Sequence, residues 1–227
     1  MSLILQIETA TTVCSVALAK DGKVLAFKEI DERNVHAEVL NVFIRELIVS
    51  AGLSFNDLDA IAVSCGPGSY TGLRIGVSTA KGLCFALDKP LIAVDTLASM
   101  ASGAATQISD HEILLCPMID ARRMEVYTAL FDYSVNMINP VVALIVDDQS
   151  FGAHLQNNRI LFFGDGADKC RDVLGHNPNA QFLSPFNNSA TYLTQIALNK
   201  FKNRQFEDVA YFEPYYLKDF VAGKKKA

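Results

Sequence analysis

Two carboxylates stand where this sequence is best suited to chemistry, each at the end of an apolar run. Glu8 closes the run from Leu3 to Glu8, and Asp120 follows the run from Ile113 to Ile119. Carboxylate oxygens suit Mg²⁺, so such a pair beside bound phosphates is typical of a nucleotide site. The glycines of Gly164-Asp165-Gly166 would let a flat base lie close to the backbone. These residues make a small ATPase or kinase one hypothesis.

The turns that follow both carboxylates argue against that hypothesis. Thr9 to Thr12 and Ala121 to Arg123 contain no glycine, so side chains crowd the place where backbone amides would approach a phosphate. The Gly164-Asp165-Gly166 segment is better explained as an ordinary strand-to-helix turn. The sequence has no Walker loop, no Gly-x-Ser-x-Gly elbow and no His-Glu-x-x-His pair, and its four histidines form no ligand set. Proteases and hydrolases therefore lack a nucleophile or a metal here.

The stretch from Ser64 to Ala101 has the most distinctive spacing. Gly66-Pro67-Gly68 ends a strand, and Ser69 is placed to cap the helix that follows. Small residues recur at every fourth position of that helix, on one face: Gly72, Gly76, Ala80 and Cys84. Each glycine costs a helix about 1 kcal/mol relative to alanine, so this face indicates a close approach of another backbone. The alternatives are packing on the chain's own sheet, docking of another helix, and a phosphate at the helix N-terminus.

The order of predicted elements divides the chain into two similar halves. The first half has three strands, a helix, a strand, the small-residue helix, a strand and a helix. The second half restarts with strands, and one constant offset places Glu8 on Asp120 and Ala17 on Ala129. We expect an α/β protein of two lobes, residues 1–104 and 105–227, each a mixed sheet with flanking helices. Both lobes resemble the ribonuclease H-like unit of actin-like (ASKHA) proteins.

Composition limits the class of protein. Half of the 227 residues are hydrophobic, and the net charge of -5 excludes a broad electrostatic surface for nucleic acid. The basic run is Lys224-Lys225-Lys226, so another protein would supply the phosphate contacts if RNA is involved. With no apolar run of about 18 residues and no signal sequence, we expect a cytoplasmic protein without membrane contact. The five scattered cysteines suit buried reduced thiols: Cys14, Cys65, Cys84, Cys116 and Cys170.

Several sequence motifs occur in the order that characterises one family. They are Ile4-Leu5-Gln6-Ile7-Glu8-Thr9 with Cys14-Ser15-Val16-Ala17-Leu18, then His36-Ala37-Glu38, Gly66-Pro67-Gly68-Ser69-Tyr70-Thr71-Gly72-Leu73-Arg74-Ile75-Gly76, Asp120-Ala121-Arg122-Arg123 with Glu125-Val126-Tyr127, and Pro214-Tyr215-Tyr216-Leu217-Lys218. Over nearly its full length the chain closely resembles the TsaB (YeaZ) family of bacterial tRNA threonylcarbamoyladenosine biosynthesis proteins. It departs from the family at Glu8, where aspartate is usual, and at Lys218, where arginine is usual.

The resemblance implies a scaffold protein rather than an enzyme. Such proteins pair with a paralogue, TsaD, which transfers a threonylcarbamoyl group to adenosine 37 of tRNA, and the ATPase TsaE joins the complex. TsaD holds its metal with a His-x-x-x-His pair, whereas Thr96 and Met100 correspond here and neither replaces an imidazole. We therefore expect no catalytic residue, no metal, no cofactor and only indirect contact with tRNA. The alternative is a small ASKHA-fold ATPase or kinase, with weak adenine-nucleotide candidates at Glu8, Asp120, Gly164 and Gly166.

The resemblance also places the partner surface on two helices, from about Asn34 to Val49 and from Tyr70 to Leu87. The expected interface residues are His36, Leu40, Phe43, Tyr70, Gly72, Arg74, Gly76 and Ala80. The partner is TsaD, or a second copy of the chain when the protein is alone as a homodimer. The small-residue face is then expected at or beneath this surface.

Overall fold

The structure, a computed structural model, describes residues 1–218 and is organised around two five-stranded mixed sheets. The strands of the first sheet are β1 (Leu3–Glu8), β2 (Val13–Lys20), β3 (Lys23–Asp31), β4 (Ala60–Ser64) and β5 (Leu91–Val94). Their order across the sheet is β3-β2-β1-β4-β5. The pairs β1–β2 and β2–β3 are antiparallel, whereas β1–β4 and β4–β5 are parallel. The first strand therefore lies at the centre of its sheet, and all six of its residues are buried.

The second sheet repeats this arrangement. Its strands are β6 (Leu114–Asp120), β7 (Glu125–Phe131), β8 (Met137–Ile145), β9 (Ile160–Phe163) and β10 (Ala180–Leu183), in the order β10-β9-β6-β7-β8. Strand β6 takes the central place that β1 has in the first sheet. The last residue of β1 is Glu8 and the last residue of β6 is Asp120, so the sequence offset between the halves matches the topology.

Helices flank both sheets. They are α1 (His36–Ser50), α2 (Tyr70–Leu87), α3 (Thr96–Ala105), α4 (Gly152–Leu155), α5 (Arg171–Leu174) and α6 (Thr194–Lys202), with 3₁₀ turns at Phe55–Asp57, Asp168–Cys170 and Ala190–Leu193. The Ser69 hydroxyl accepts from the Gly72 N–H at 3.3 Å, and Asp95 Oδ1 accepts from the Ala98 N–H at 2.8 Å. The predicted cap of α2 is therefore confirmed, and of the two residues that could cap α3, Asp95 and Thr96, the structure has Asp95. Within residues 1–218, no helix has both the length and the apolar character that a membrane crossing requires.

Two helices pack on the sheet of the other half. From α3, Leu97, Met100 and Ala104 join a core with Phe131 and Phe163 of the second sheet. The segment of α6 and the 3₁₀ turn before it packs on the first sheet, where Thr194 Oγ1 donates to Gln6 Oε1 at 3.0 Å. The expected division at residues 104 and 105 thus separates the strands of the two sheets, while α3 and α6 cross it.

Some short elements differ from the sequence prediction. The sequence indicates neither strand β10 nor helix α4, and it favours a helix from Ala167 to Leu174, where the structure has a 3₁₀ turn followed by α5. Each of these elements has only three or four residues, too few to show a period of apolar spacing. The apolar run from Val141 to Val146 predicts a strand that starts at Val141, whereas β8 begins at Met137. The start differs because this edge strand exposes Met137 and Ile138 and so lacks a buried pattern there. The five cysteines are free thiols and four are buried, as predicted.

The small-residue face of α2 packs on the turn that follows the chain's own first strand. A Cβ atom at Gly72 would overlap the carbonyl oxygen of Thr9, and one at Gly76 would overlap the Thr9 hydroxyl. Further along the same face, Ala80 and Cys84 are buried in the core of the first sheet. Of the three alternatives for this face, the structure has internal packing. Without side chains at Gly72 and Gly76, the turn after β1 can lie directly against the α2 backbone.

A matched pair of glycine substitutions in α2 tests this packing. Gly72→Ala places a methyl group on the Thr9 carbonyl oxygen, so we expect the free energy of unfolding to fall by about 1–3 kcal/mol, the usual cost of overpacking. At Gly82 a Cβ meets no atom within 4 Å, so Gly82→Ala should raise that free energy by up to about 1 kcal/mol. Urea denaturation measures both changes, and a Gly72→Ala variant as stable as the wild type would contradict the packing.

Candidate functional site

Glu8 lies sealed inside the first lobe. Its side chain has no solvent exposure, and its Oε1 accepts from the Ala10 N–H at 2.7 Å and from the Ser64 hydroxyl at 2.9 Å. Its Oε2 is buried and has no hydrogen-bond partner among residues 1–218. Burial raises the pKa of the Glu8 carboxyl to about 7, because desolvation of the charged form outweighs these hydrogen bonds. A carboxyl closed off in this way has no path to a metal-bound nucleotide in this conformation.

The turn after Glu8 is closed as well. Thr9 and Ala10 have no solvent exposure and Thr11 is almost completely buried. Two backbone N–H groups near this turn already donate hydrogen bonds within the chain. The Ala10 N–H donates to the Glu8 carboxylate, and the Ser69 N–H donates to the Ala10 carbonyl. The Gly68 backbone lies against Ala10, and α2 covers Thr9. A phosphate has no room at this turn.

Asp120, the counterpart of Glu8, is half-exposed and paired. Its Oδ1 forms an ion pair with Lys169 and accepts from the Arg122 N–H at 3.0 Å. Lys169 also donates to the Glu125 carbonyl at 2.7 Å, and Asp165 Oδ1 accepts from the Asp120 N–H at 2.9 Å. A lysine from another part of the second lobe thus neutralises this carboxylate. The structure leaves Glu8 buried and Asp120 at the surface, so the two predicted nucleotide residues do not form one open site.

The two candidate glycines serve the packing of the second sheet. Gly164 has a φ of +103°, and a Cβ there would overlap the Met118 carbonyl oxygen and the Met100 side chain. A Cβ at Gly166 would lie about 2.9 Å from the Ile119 carbonyl carbon. Both glycines are required because the segment after β9 approaches β6 closely. The segment is therefore the ordinary strand-to-helix turn.

Thr96 and Met100, the positions that the resemblance sets against the TsaD metal pair, make structural contacts. Thr96 Oγ1 accepts from the Gly66 N–H at 3.0 Å, and Met100 is buried in the core of the second sheet. Among the residues that the structure describes, no cluster of His, Cys, Asp and Glu could hold a metal ion.

Most of the predicted interface residues lie in the interior of the first lobe. His36 is buried, with Nε2 3.2 Å from the Val13 carbonyl oxygen. Phe43 is half-buried against the first core, whereas Arg74 is exposed and Tyr70 half-exposed. Four others are buried: Leu40, Gly72, Gly76 and Ala80. These five buried positions are corrections to the sequence prediction, because they face the sheet and not the outer surface of their helices.

The outer faces of α1 and α2 present other side chains. Phe85 of α2 is 86% exposed, and Val49 of α1 is 69% exposed. Val42 is also exposed, and α1 and α2 pack beside one another on the first sheet. We call the exposed residues Val42, Val49, Ser78, Gly82 and Phe85 the outer helix face. The sequence gives one signal for the outer helix face. Thr71, Arg74 and Ser78 form a polar row on α2, and Phe85 follows on the same row.

A C-terminal strap, residues 207–218, crosses the first lobe beside α2. The Tyr215 N–H donates to the Cys65 carbonyl at 2.7 Å, and Lys81 of α2 donates to the Phe212 carbonyl at 2.8 Å. The Tyr216 ring lies on the Tyr70 ring with centroids 4.8 Å apart. Lys218 then pairs with Glu125 of the second lobe, so a lysine makes this tail contact. The run Lys224-Lys225-Lys226 lies outside the described residues.

Comparisons with known proteins agree on one group of relatives. A family model described as TsaD, tRNA N6-adenosine threonylcarbamoyltransferase, matches residues 29–223. The tRNA threonylcarbamoyladenosine biosynthesis protein TsaB of Escherichia coli (strain K12) is 33% identical over 98% of this chain and 97% of its own length. TsaB of Haemophilus influenzae is 29% identical over 98% of this chain and 96% of its own length.

Solved structures give the same result for the fold. YeaZ from Pseudomonas aeruginosa superposes with a TM-score of 0.83 at 27% identity, covering 96% of this chain and all of that chain. An activator of 2-hydroxyisocaproyl-CoA dehydratase from Clostridium difficile, solved with bound ADPNP, superposes with a TM-score of 0.53 at 11% identity, over 89% of this chain and 97% of that one. The second likeness concerns the fold alone, and it extends the shared architecture to a nucleotide-binding protein.

The pH dependence of stability tests the buried state of Glu8. Because the Glu8 pKa is about 7 in the folded state and 4.5 when exposed, the folded chain binds this proton more tightly. The wild type therefore loses stability as the pH rises from about 4.5 to 7. Glu8→Gln does not titrate, so its stability relative to the wild type should increase over that range by on the order of 3 kcal/mol. Urea denaturation at a series of pH values measures this.

Glu32→Gln is the control, since Glu32 is exposed and the substitution removes one carboxyl at the surface. If the stability of Glu8→Gln relative to the wild type stayed constant with pH, Glu8 would not be a buried neutral carboxyl.

Proposed function

Because this chain belongs to the TsaB (YeaZ) family of tRNA threonylcarbamoyladenosine biosynthesis proteins, we propose that it is the non-catalytic subunit of a threonylcarbamoyl-transferring complex. In this complex it binds and activates a transferase of the TsaD type, and the TsaE ATPase joins them. The chain takes part in the formation of N6-threonylcarbamoyladenosine in tRNA without an active site or a cofactor of its own. We place this work in the cytoplasm.

The observation that carries the proposal is that the chain's own groups engage both carboxylates that the sequence offers to a nucleotide. In the first lobe α2 covers the turn at Thr9 and closes off Glu8. In the second lobe Lys169 forms an ion pair with Asp120 and neutralises its charge. Neither carboxylate is available to a Mg²⁺-bound phosphate in this arrangement, which supports a structural role over the ATPase or kinase alternative.

A structural role needs a surface for the partner, and the outer helix face suits one. Exposed aromatic and aliphatic side chains are typical of the buried centre of a protein interface. Gly82 stands in the same row of α2, and nothing inside the chain lies within 4 Å of a Cβ placed there. A glycine in mid-helix is unfavourable and no internal contact explains this one, so a close approach from outside accounts for it. We propose that helices of the transferase, or of a second copy in a homodimer, pack here.

Charged substitutions on the outer helix face test the partner surface. We expect Phe85→Asp and Val49→Asp each to weaken binding to the TsaD-type transferase of the same organism by at least about 30-fold, since interface centres lose about 2 kcal/mol or more on such changes. Ile145→Asp is the matched control, because Ile145 in β8 is as exposed as Val49, at 69%. Titration calorimetry gives the affinities. Binding of Phe85→Asp and Val49→Asp at wild-type strength would exclude this face.

A reconstituted modification assay tests the proposed role itself. We expect the purified transferase, with TsaE and the threonylcarbamoyl donor, to modify tRNA only when this chain is present. Glu8→Gln should support modification as well as the wild type, because no step uses that carboxyl. Transferase activity that is independent of this chain would contradict the activator role, and loss of activity in Glu8→Gln would point back to chemistry at Glu8.

A further inference from the structure

The turn between β6 and β7 holds two arginines in a strained backbone conformation. Arg122 has a φ of +73° and Arg123 a φ of +48°, and both are exposed. The Ala121 N–H donates to the Glu125 carbonyl, and the Glu125 N–H donates to the Arg122 carbonyl, so the tight turn requires these angles. A left-handed backbone conformation favours glycine and asparagine, whereas a long side chain such as arginine is disfavoured there. Local chemistry therefore does not explain why arginines occupy both positions.

The charges around the turn are arranged so that its tip stays cationic. Asp120 at the end of β6 pairs with Lys169, and Glu125 at the start of β7 pairs with Lys218. The third nearby carboxylate, Asp165, accepts the Asp120 N–H. Within residues 1–218 neither arginine side chain of the turn forms an ion pair. Lysines thus neutralise Asp120 and Glu125, and the two guanidinium groups keep their positive charge at the tip of the turn. The chain as a whole has a net charge of -5.

This turn is also the one that remains accessible. Its counterpart after β1 is buried under α2, whereas Arg122 and Arg123 face solvent. None of residues 121–124 is an exposed large apolar side chain of the kind that centres a protein interface. Guanidinium groups bind phosphate oxygens through paired N–H donors, and such contacts need no apolar surroundings.

We propose that the side chains of Arg122 and Arg123 contact the phosphate backbone of an RNA. This inference rests on the proposed function, in which the RNA is the tRNA bound to the complex. It changes one expectation, because this chain then touches tRNA directly at one small point while its partner supplies the remaining phosphate contacts. The turn retains two strained arginines because phosphate binding needs cations at its tip.

The test is the double variant Arg122→Asn with Arg123→Gly, studied in the complex with the transferase. Asn-Gly suits the two left-handed positions, so the variant should fold with an unchanged or higher melting temperature. Its complex should bind tRNA at least about 10-fold more weakly at low salt, and the slope of log affinity against log salt should fall by about 2, one for each lost phosphate contact. Filter binding of labelled tRNA over a range of salt concentrations measures both.

The matched control is Lys202→Asn with Arg204→Gly. It also removes two exposed cations, one of them an arginine with a positive φ of 52°. Both residues lie beside Met1 and Pro90, which precede the first residues of β1 and β5. This control should keep the wild-type affinity for tRNA and the wild-type salt slope. An equal loss in the control would mean that overall charge, and not the turn, governs binding.

Other outcomes separate the two proposals. If the Arg122→Asn/Arg123→Gly complex binds tRNA with unchanged affinity and slope, the phosphate contact is refuted while the scaffold role stands. If that variant instead loses the transferase, the arginines bind partner carboxylates and the inference is equally overturned. If the wild-type chain forms no complex, the proposed function fails; tRNA binding is then compared for the chains alone, where equal salt slopes refute the contact independently.

Discussion

The close contact between the α2 backbone and the turn after β1 is the constraint on which the rest of the structure depends. Gly72 and Gly76 let the helix lie directly on Thr9, and any side chain at these positions would separate them. The contact closes Glu8 and the turn against solvent, and this burial raises the pKa of the Glu8 carboxyl. The same contact turns Ser78, Gly82 and Phe85 outward. One packing arrangement therefore both closes off the Glu8 carboxyl and determines which side chains of α2 face outward.

The two halves are joined by more than the chain that links them. Helix α3 fills the core of the second sheet. The 3₁₀ turn before α6 joins the first sheet through the hydrogen bond from the Ala190 N–H to the Ser15 hydroxyl, and α6 through that from the Thr194 hydroxyl to Gln6. The C-terminal strap adds a third crossing, from Cys65 to the Lys218–Glu125 ion pair. An exposed ion pair contributes at most about 1 kcal/mol, so the buried helices carry most of the connection.

The two equivalent turns show how one fold position serves different ends. In the first lobe the turn is packed by a helix, so the hydrophobic effect and close packing decide its state. In the second lobe the turn is held by Lys169, Asp120 and Asp165, so electrostatics and hydrogen bonds decide it. The residues differ accordingly, with threonine and alanine in the covered turn and arginines in the exposed one. The likeness of the two halves in topology therefore does not extend to their chemistry.

The sequence by itself determined the two-lobed α/β fold, the family, the cap at Ser69, and the correspondence of Glu8 with Asp120. These features depend on neighbours in sequence: apolar runs, breakers, caps and motif order. Only the tertiary structure decided what each helix face contacts, since helical spacing shows that Gly72, Gly76 and Ala80 share a face but not what lies opposite. Five predicted interface residues proved to be buried for this reason. Lys169 and Lys218 reach Asp120 and Glu125 across 49 and 93 positions, and such pairings leave no local signal because the fold alone brings them together.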